Sequence, residues 1–198
     1  MLAEEASSVN VLSLLSEDEL RQRLLDRGRS PRPSPPYSII FPALLMAQAS
    51  HHLWQHGQQR LEQLVLWAGT PTPCGVVITA LLLPKTEATW GWVHVLPTEQ
   101  PRIVDWLRRC GQLLFAESHT HGDGPCATEL SDEDRRHPAG RQNGFLTIIV
   151  PGYARNGIDF RHAGVWECRE LVWHRLPLQA IRGRLRVVAD QEARDALK

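Results

Sequence analysis

The chain has 198 residues, 42% of them hydrophobic, with 22 Lys+Arg balanced by 22 Asp+Glu. That length and apolar content suit one globular domain with a buried core and short extensions. The balanced charge removes the electrostatic case for a nucleic-acid partner, and no apolar run reaches the ~18 residues of a membrane span.

The first residues, M-L-A-E-E-A-S-S, are acidic and unlike a signal peptide. Four scattered cysteines without a C-x-x-C pair point to reduced thiols and a cytoplasmic setting. Residues 1–36 read as a helical extension with a Pro-rich linker. Ser16-Glu17-Asp18-Glu19 is a capping-box pattern, followed by Leu20, Leu24 and Leu25 at helical spacing, and R-S-P-R-P-S-P-P then forms a stiff segment.

A compact domain is expected over 37–176. The spacing predicts a helix from Pro42 to Gly57, with His51, His52 and His56 as surface or helix-end residues. Two strand-like runs, 61–69 and 76–84, flank a T-P-T-P-C-G turn, and Glu62 opens the first. A strand over Trp90 to Leu96, a helix over Pro101 to Gly111 and a strand over Leu113 to His121 follow. Then come a loop from Gly122 to Leu130, a helix capped by Ser131, a buried strand over Phe145 to Pro151 and one or two strands over Val165 to Leu176. Residues 177–198 form a basic tail with R-G-R-L-R, read as a solvated face. The pattern predicts an α/β (α+β) domain with a mixed central sheet flanked by helices.

The chemistry concentrates in A-E-S-H-T-H-G-D-G-P-C-A-T-E-L-S-D-E-D, residues 116–134. On a strand, His119 and His121 project from one face and can reach one metal ion. On a helix, Ser131 and Asp134 are neighbours. Two imidazoles, a carboxylate and a water make the open four-coordinate zinc site that a hydrolase requires.

These residues resemble the JAB/MPN metalloprotease (JAMM) family. Its pattern is a glutamate seven positions before a glycine, then H-x-H some fifty to sixty residues later, then S-x-x-D. Glu62 and Gly69, His119 and His121, and Ser131 and Asp134 reproduce it. The resemblance spans about Tyr37 to Leu176 and implies an MPN/JAB (cytidine-deaminase-like) fold with Zn2+ held by His119, His121 and Asp134. Glu62 would be the general base, and Ser131 would help hold the oxyanion. Glu117, on the histidines' own strand, is the rival base and is better placed behind the ligands. Gly122 stands where the family usually has proline, and nine residues rather than seven separate His121 from Ser131. The implied substrate is the C-terminal tail of a ubiquitin-like protein, cleaved at an amide or isopeptide bond. Such an activity belongs to bacterial conjugation or antiphage systems that also hold E1-like and E2-like proteins.

Two other readings compete. A non-catalytic MPN scaffold would not need all of these side chains. An H-x-H phosphoesterase or amidohydrolase usually carries the pair on the first strand of a barrel of about 250 residues. A nucleobase deaminase is excluded, since Pro125-Cys126 lacks the second cysteine of P-C-x-x-C.

Overall fold

A computed structural model describes residues 9–28 and 31–198. The parts of the expected 1–36 extension that fall on residues 1–8 and 29–30 lie outside the described residues. Strand β1 (Asn10–Ser13) leads into helix α1 (Glu17–Arg27), where Ser16 and Glu19 complete the expected capping box. Strand β2 (Ile39–Pro42) is fully buried and runs directly into α2 (Ala43–Gly57). Pro42 suits that junction because the first helical N–H groups have no intrahelical partner. The Leu44 N–H finds one in the distant Asp190 carboxylate, at 3.0 Å.

Strands β3 (Leu64–Thr72) and β4 (Gly75–Leu83) form the expected hairpin around Pro73 and Cys74. A register shift at Ala68 and Gly69 bulges β3. A Cβ at Gly69 would lie 2.5 Å from the Val77 carbonyl oxygen, so only glycine fits the bulge. Beyond β4, β5 (Thr86–Ala88) and β6 (Val93–Val95) make a separate two-stranded ribbon whose turn exposes Trp90. Helix α3 (Glu99–Arg109) buries Ile103 and Trp106, and the Trp106 indole donates to Glu17 of α1 at 3.0 Å.

Strand β7 (Leu113–Thr120) carries the first histidine, and α4 (Asp132–Arg136) carries Asp134. Then follow β8 (Leu146–Val150), a single 3-10 turn (Gly152–Ala154), β9 (Gly164–Arg169) and β10 (Val172–Arg175). Helix α5 (Leu178–Arg184), β11 (Leu185–Val188) and α6 (Asp190–Asp195) complete the chain.

Among the described residues, nine strands form one mixed sheet in the order β10-β9-β8-β7-β3-β4-β2-β11, with β1 pairing along β4. The β7–β8, β2–β4 and β2–β11 pairs are parallel. At the centre, Phe41 meets Trp67 edge-on at 5.2 Å, and the Trp67 indole donates to Ser118 Oγ at 2.8 Å. Helices flank this curled sheet, as the α/β reading expects. None of the described helices is long and apolar enough to cross a membrane.

Both flanking segments enter the same sheet, which local patterning did not foretell. β1 has only four residues, too few for a clear alternation signal. From the Pro-rich segment, Arg32 lies 4.5 Å over the Phe115 ring and donates to the Leu114 carbonyl. The C-terminal arginines are not simply a solvated face. Arg184, ending α5, donates to the Glu167 carboxylate at 2.6 Å and to the Tyr37 carbonyl at 3.1 Å. The Glu167 side chain is fully buried, and Arg169 binds its other oxygen. Burial works against the Glu167 charge, but the two arginines hold its carboxyl below the ordinary value.

Replacing Arg184 with methionine strands part of that buried charge and should cost about 3 kcal/mol, read by urea denaturation at pH 7. Because the folded-state pKa of Glu167 is depressed, its contribution is present above the unfolded value. It is lost as the pH falls through the folded one, so the deficit of the variant should shrink in acid.

Candidate metal centre

β7 is an interior strand, antiparallel to β3 and parallel to β8. Its last turn of pleat is tied from both sides. The Thr120 N–H donates to the Gln63 carbonyl at 3.0 Å, and the His121 N–H donates to the Val150 carbonyl at 3.0 Å. The side-chain period of two then presents both imidazoles in one direction. His119 is 2% exposed, and the Nε2 atoms of the two histidines are 3.1 Å apart.

The third donor arrives on a helix of only five residues. Ser131 Oγ accepts from the Asp134 N–H at 3.1 Å, and Asp134 Oδ2 accepts from the Ser131 N–H at 2.8 Å. This reciprocal cap aims the Asp134 carboxylate back toward β7, with Oδ1 3.3 Å from His119 Nε2 and Oδ2 3.3 Å from His121 Nε2. The loop that delivers Ser131 is anchored by Leu130, packed with Ile149 and Trp166, and by the Trp166 indole donating to the Thr128 carbonyl. At Gly164 a Cβ would stand 1.9 Å from that carbonyl oxygen, so β9 and the loop touch backbone to backbone.

The three donor groups offer atoms that all lie within 4.8 Å of one another. Bonds of 2.0–2.1 Å in a tetrahedron place neighbouring ligand atoms about 3.3 Å apart. The 3.1 Å between the two Nε2 atoms is close to that edge, and each Nε2 lies 3.3 Å from a different oxygen of the Asp134 carboxylate. His119, His121 and Asp134 therefore suit a divalent cation. His51, His52 and His56 are outside this group.

Glu62, two residues before β3, is 4% exposed. Its N–H donates to the Thr89 carbonyl in the β5–β6 turn at 2.8 Å, while its Oε2 has no hydrogen-bond partner. Burial pushes its carboxyl up to about 8, with His119 pulling it down and Asp134 pushing it up. Glu62, His121 and Ser131 line one open cavity of about 950 Å³. The five side chains singled out in the sequence thus gather at one place. Glu117 does not reach this cavity; it is buried behind His119.

Trp54 on α2 and Tyr153, which the sequence reading missed, line the same cavity together with Trp90 in the ribbon turn. Tyr153 sits at a positive φ of 52° and its hydroxyl donates to the Trp90 carbonyl at 3.2 Å. The P-G-Y segment after β8 signalled a turn, but nothing local linked it to residues about sixty positions earlier.

No family model matches the chain. It is similar to the probable metalloprotease y4jG of Sinorhizobium fredii (strain NBRC 101917 / NGR234), with 26% identity over 145 residues, covering 71% of this chain and 88% of that protein. Its backbone is similar to the solution structure of DSY2949 from Desulfitobacterium hafniense, with a TM-score of 0.55 at 14% identity, covering 76% of this chain and 93% of that one. The latter likeness concerns the fold alone.

The charge state of the metal-free centre makes cation binding proton-linked. Burial works against a charge on His119, yet Asp134, Glu117 and Glu62 together push it up to about 9. Burial likewise opposes the Asp134 charge, but its hydrogen bonds with the two histidines hold its carboxyl well below the usual range. At pH 7 His119 is therefore protonated and must lose that proton to become a ligand. Titration with Zn2+ should release protons, measured by calorimetry in two buffers of different ionisation enthalpy. Affinity should climb from pH 6 to pH 9, and His119→Ala should abolish stoichiometric binding.

Proposed function

We propose that the protein is a zinc-dependent peptidase of the JAMM type that cleaves an amide or isopeptide bond after the C-terminal tail of a ubiquitin-like protein. The observation that carries the reading is the grouping of His119, His121 and Asp134 at a cavity lined by His121, Ser131 and Glu62, whose buried carboxyl keeps its Oε2 without a partner. A scaffold has no use for such a group, because an unpartnered buried carboxyl is costly and has to be supported by the rest of the fold. The similarity to a probable metalloprotease supports the same class of chemistry.

His119, His121 and Asp134 would hold the ion. When bound, zinc supplies a Lewis acid and lowers the pKa of water to about 7. Glu62 Oε2, with no competing donor, takes a proton from the attacking water and returns it to the leaving nitrogen. Ser131 Oγ already accepts from the Asp134 N–H, so its own hydroxyl proton can be donated to the oxygen that gains charge. The open cavity admits an extended chain, which would add along the ribbon near Trp90 to Leu96. E1-like and E2-like proteins are the natural companions of this activity, in conjugation or antiphage defence and in a cytoplasmic setting.

The test is cleavage of a small β-grasp protein fused through its C-terminal tail to a reporter, with zinc content measured in parallel. Wild type should cleave the fusion. Glu62→Gln should keep its zinc and lose about 10²–10⁴ in rate. Absence of cleavage by wild type with zinc bound, or full activity in Glu62→Gln, would overturn the proposal. Ser131→Ala should lower kcat by about 10²–10³, with metal content retained.

A further inference from the structure

A second acidic side chain stands behind the centre, and the roles above leave it without work. Glu117, in the middle of β7, is 2% exposed. Its Oε2 accepts from the Ala139 N–H at 2.9 Å and its Oε1 accepts from the Thr147 hydroxyl at 2.8 Å. Neither partner carries charge. If hydrogen bonding were its whole task, a glutamine would accept from one partner and donate to the other, without the desolvation cost of a carboxylate. These two bonds therefore leave the choice of an acid over an amide without a reason.

His119 supplies one. The two nitrogens of its ring face different groups. Nε2 lies 3.3 Å from Asp134 Oδ1 and 3.1 Å from His121 Nε2, whereas Nδ1 lies 3.9 Å from Glu117 Oε1. That last distance is too long for a hydrogen bond and short enough for strong attraction in a buried setting. An imidazole that ligates through Nε2 carries its proton on Nδ1, and a carboxylate beside Nδ1 favours that tautomer and raises the basicity of the ligand.

The same carboxylate also touches the element that carries Asp134. Ala139 lies just beyond α4, and Arg141 donates to the Arg135 and Arg136 carbonyls at the end of that helix. Ser131 fixes the front of α4 and Glu117 fixes the chain behind it. Thr147, which pairs with Glu117 across β7 and β8, holds the carboxylate in place. One buried side chain therefore bears on two of the three candidate ligands, one through its place beside Nδ1 and one through the backbone.

We propose that Glu117 is a positioning residue of the metal centre, holding His119 in the tautomer that ligates through Nε2 and pinning the segment behind Asp134. The inference rests on the metal-centre reading above, but not on the identity of the substrate.

The full-length Glu117→Gln variant can keep both hydrogen-bond partners and replaces only the acid by an amide. Its zinc affinity, from competition with a chromophoric chelator, should fall 10–100-fold, while the melting temperature of its metal-free form stays at or above that of wild type. Thr147→Val, which removes a hydrogen bond but keeps the acid, should keep affinity within a few-fold of wild type. Independently of any variant, nitrogen-15 spectra of zinc-loaded wild type should show His119 with its proton on Nδ1. Wild-type affinity in Glu117→Gln, equal losses in Thr147→Val, or ligation through Nδ1 would each overturn the proposal. If wild type binds no zinc, the metal-centre reading fails first; if it binds and Glu117→Gln binds equally well, only the role of Glu117 falls.

Discussion

The hydrogen bond from the Ser131 N–H to Asp134 Oδ2 is the interaction on which the centre turns. A helix of five residues has little intrinsic stability, and a carboxylate on such a helix would ordinarily sample several rotamers. The reciprocal cap removes that freedom by using both the backbone and the side chain of Ser131. It leaves Asp134 Oδ1 and Oδ2 each 3.3 Å from a histidine nitrogen. Ser131 thus acts twice, as a cap that orients the Asp134 carboxylate and as a residue of the cavity wall.

The sheet provides the other half of the constraint. His119 sits on a strand with neighbours on both sides, so its backbone cannot shift without breaking two ladders. The β3 bulge next to Gly69 and the tight hairpin to β4 hold the partner strand in register. Its first residues bring Glu62 to the same end of the sheet. The ribbon turn closes over this end through the Glu62 N–H and the Tyr153 hydroxyl, both directed at ribbon carbonyls.

Two buried glutamates, Glu62 just before β3 and Glu117 within neighbouring β7, show how environment separates similar groups. Burial raises the carboxyls of both Glu62 and Glu117. Glu117 has a donor for each oxygen and belongs to the framework. Glu62 keeps one oxygen unpartnered and lines the cavity. A sequence presents both simply as an acidic residue in an apolar strand.

Local spacing alone determined a good deal. The capping box at Ser16, the N-cap at Ser131, the helix that begins after Pro42 and ends at Gly57, the hairpin around Pro73 and the common direction of His119 and His121 all follow from periods of two and 3.6 and from backbone groups that need partners. Contacts between distant segments were decided only by the tertiary structure. β1 and β11 join the sheet by pairing with strands remote in the chain, and Arg184 is half-buried where it pairs with Glu167 on another strand. The same holds for the contrast between Glu62 and Glu117 and for the Tyr153 turn beneath Trp90. Periodicity reports which face a side chain leaves from; desolvation and pairing depend on what the rest of the chain places opposite it.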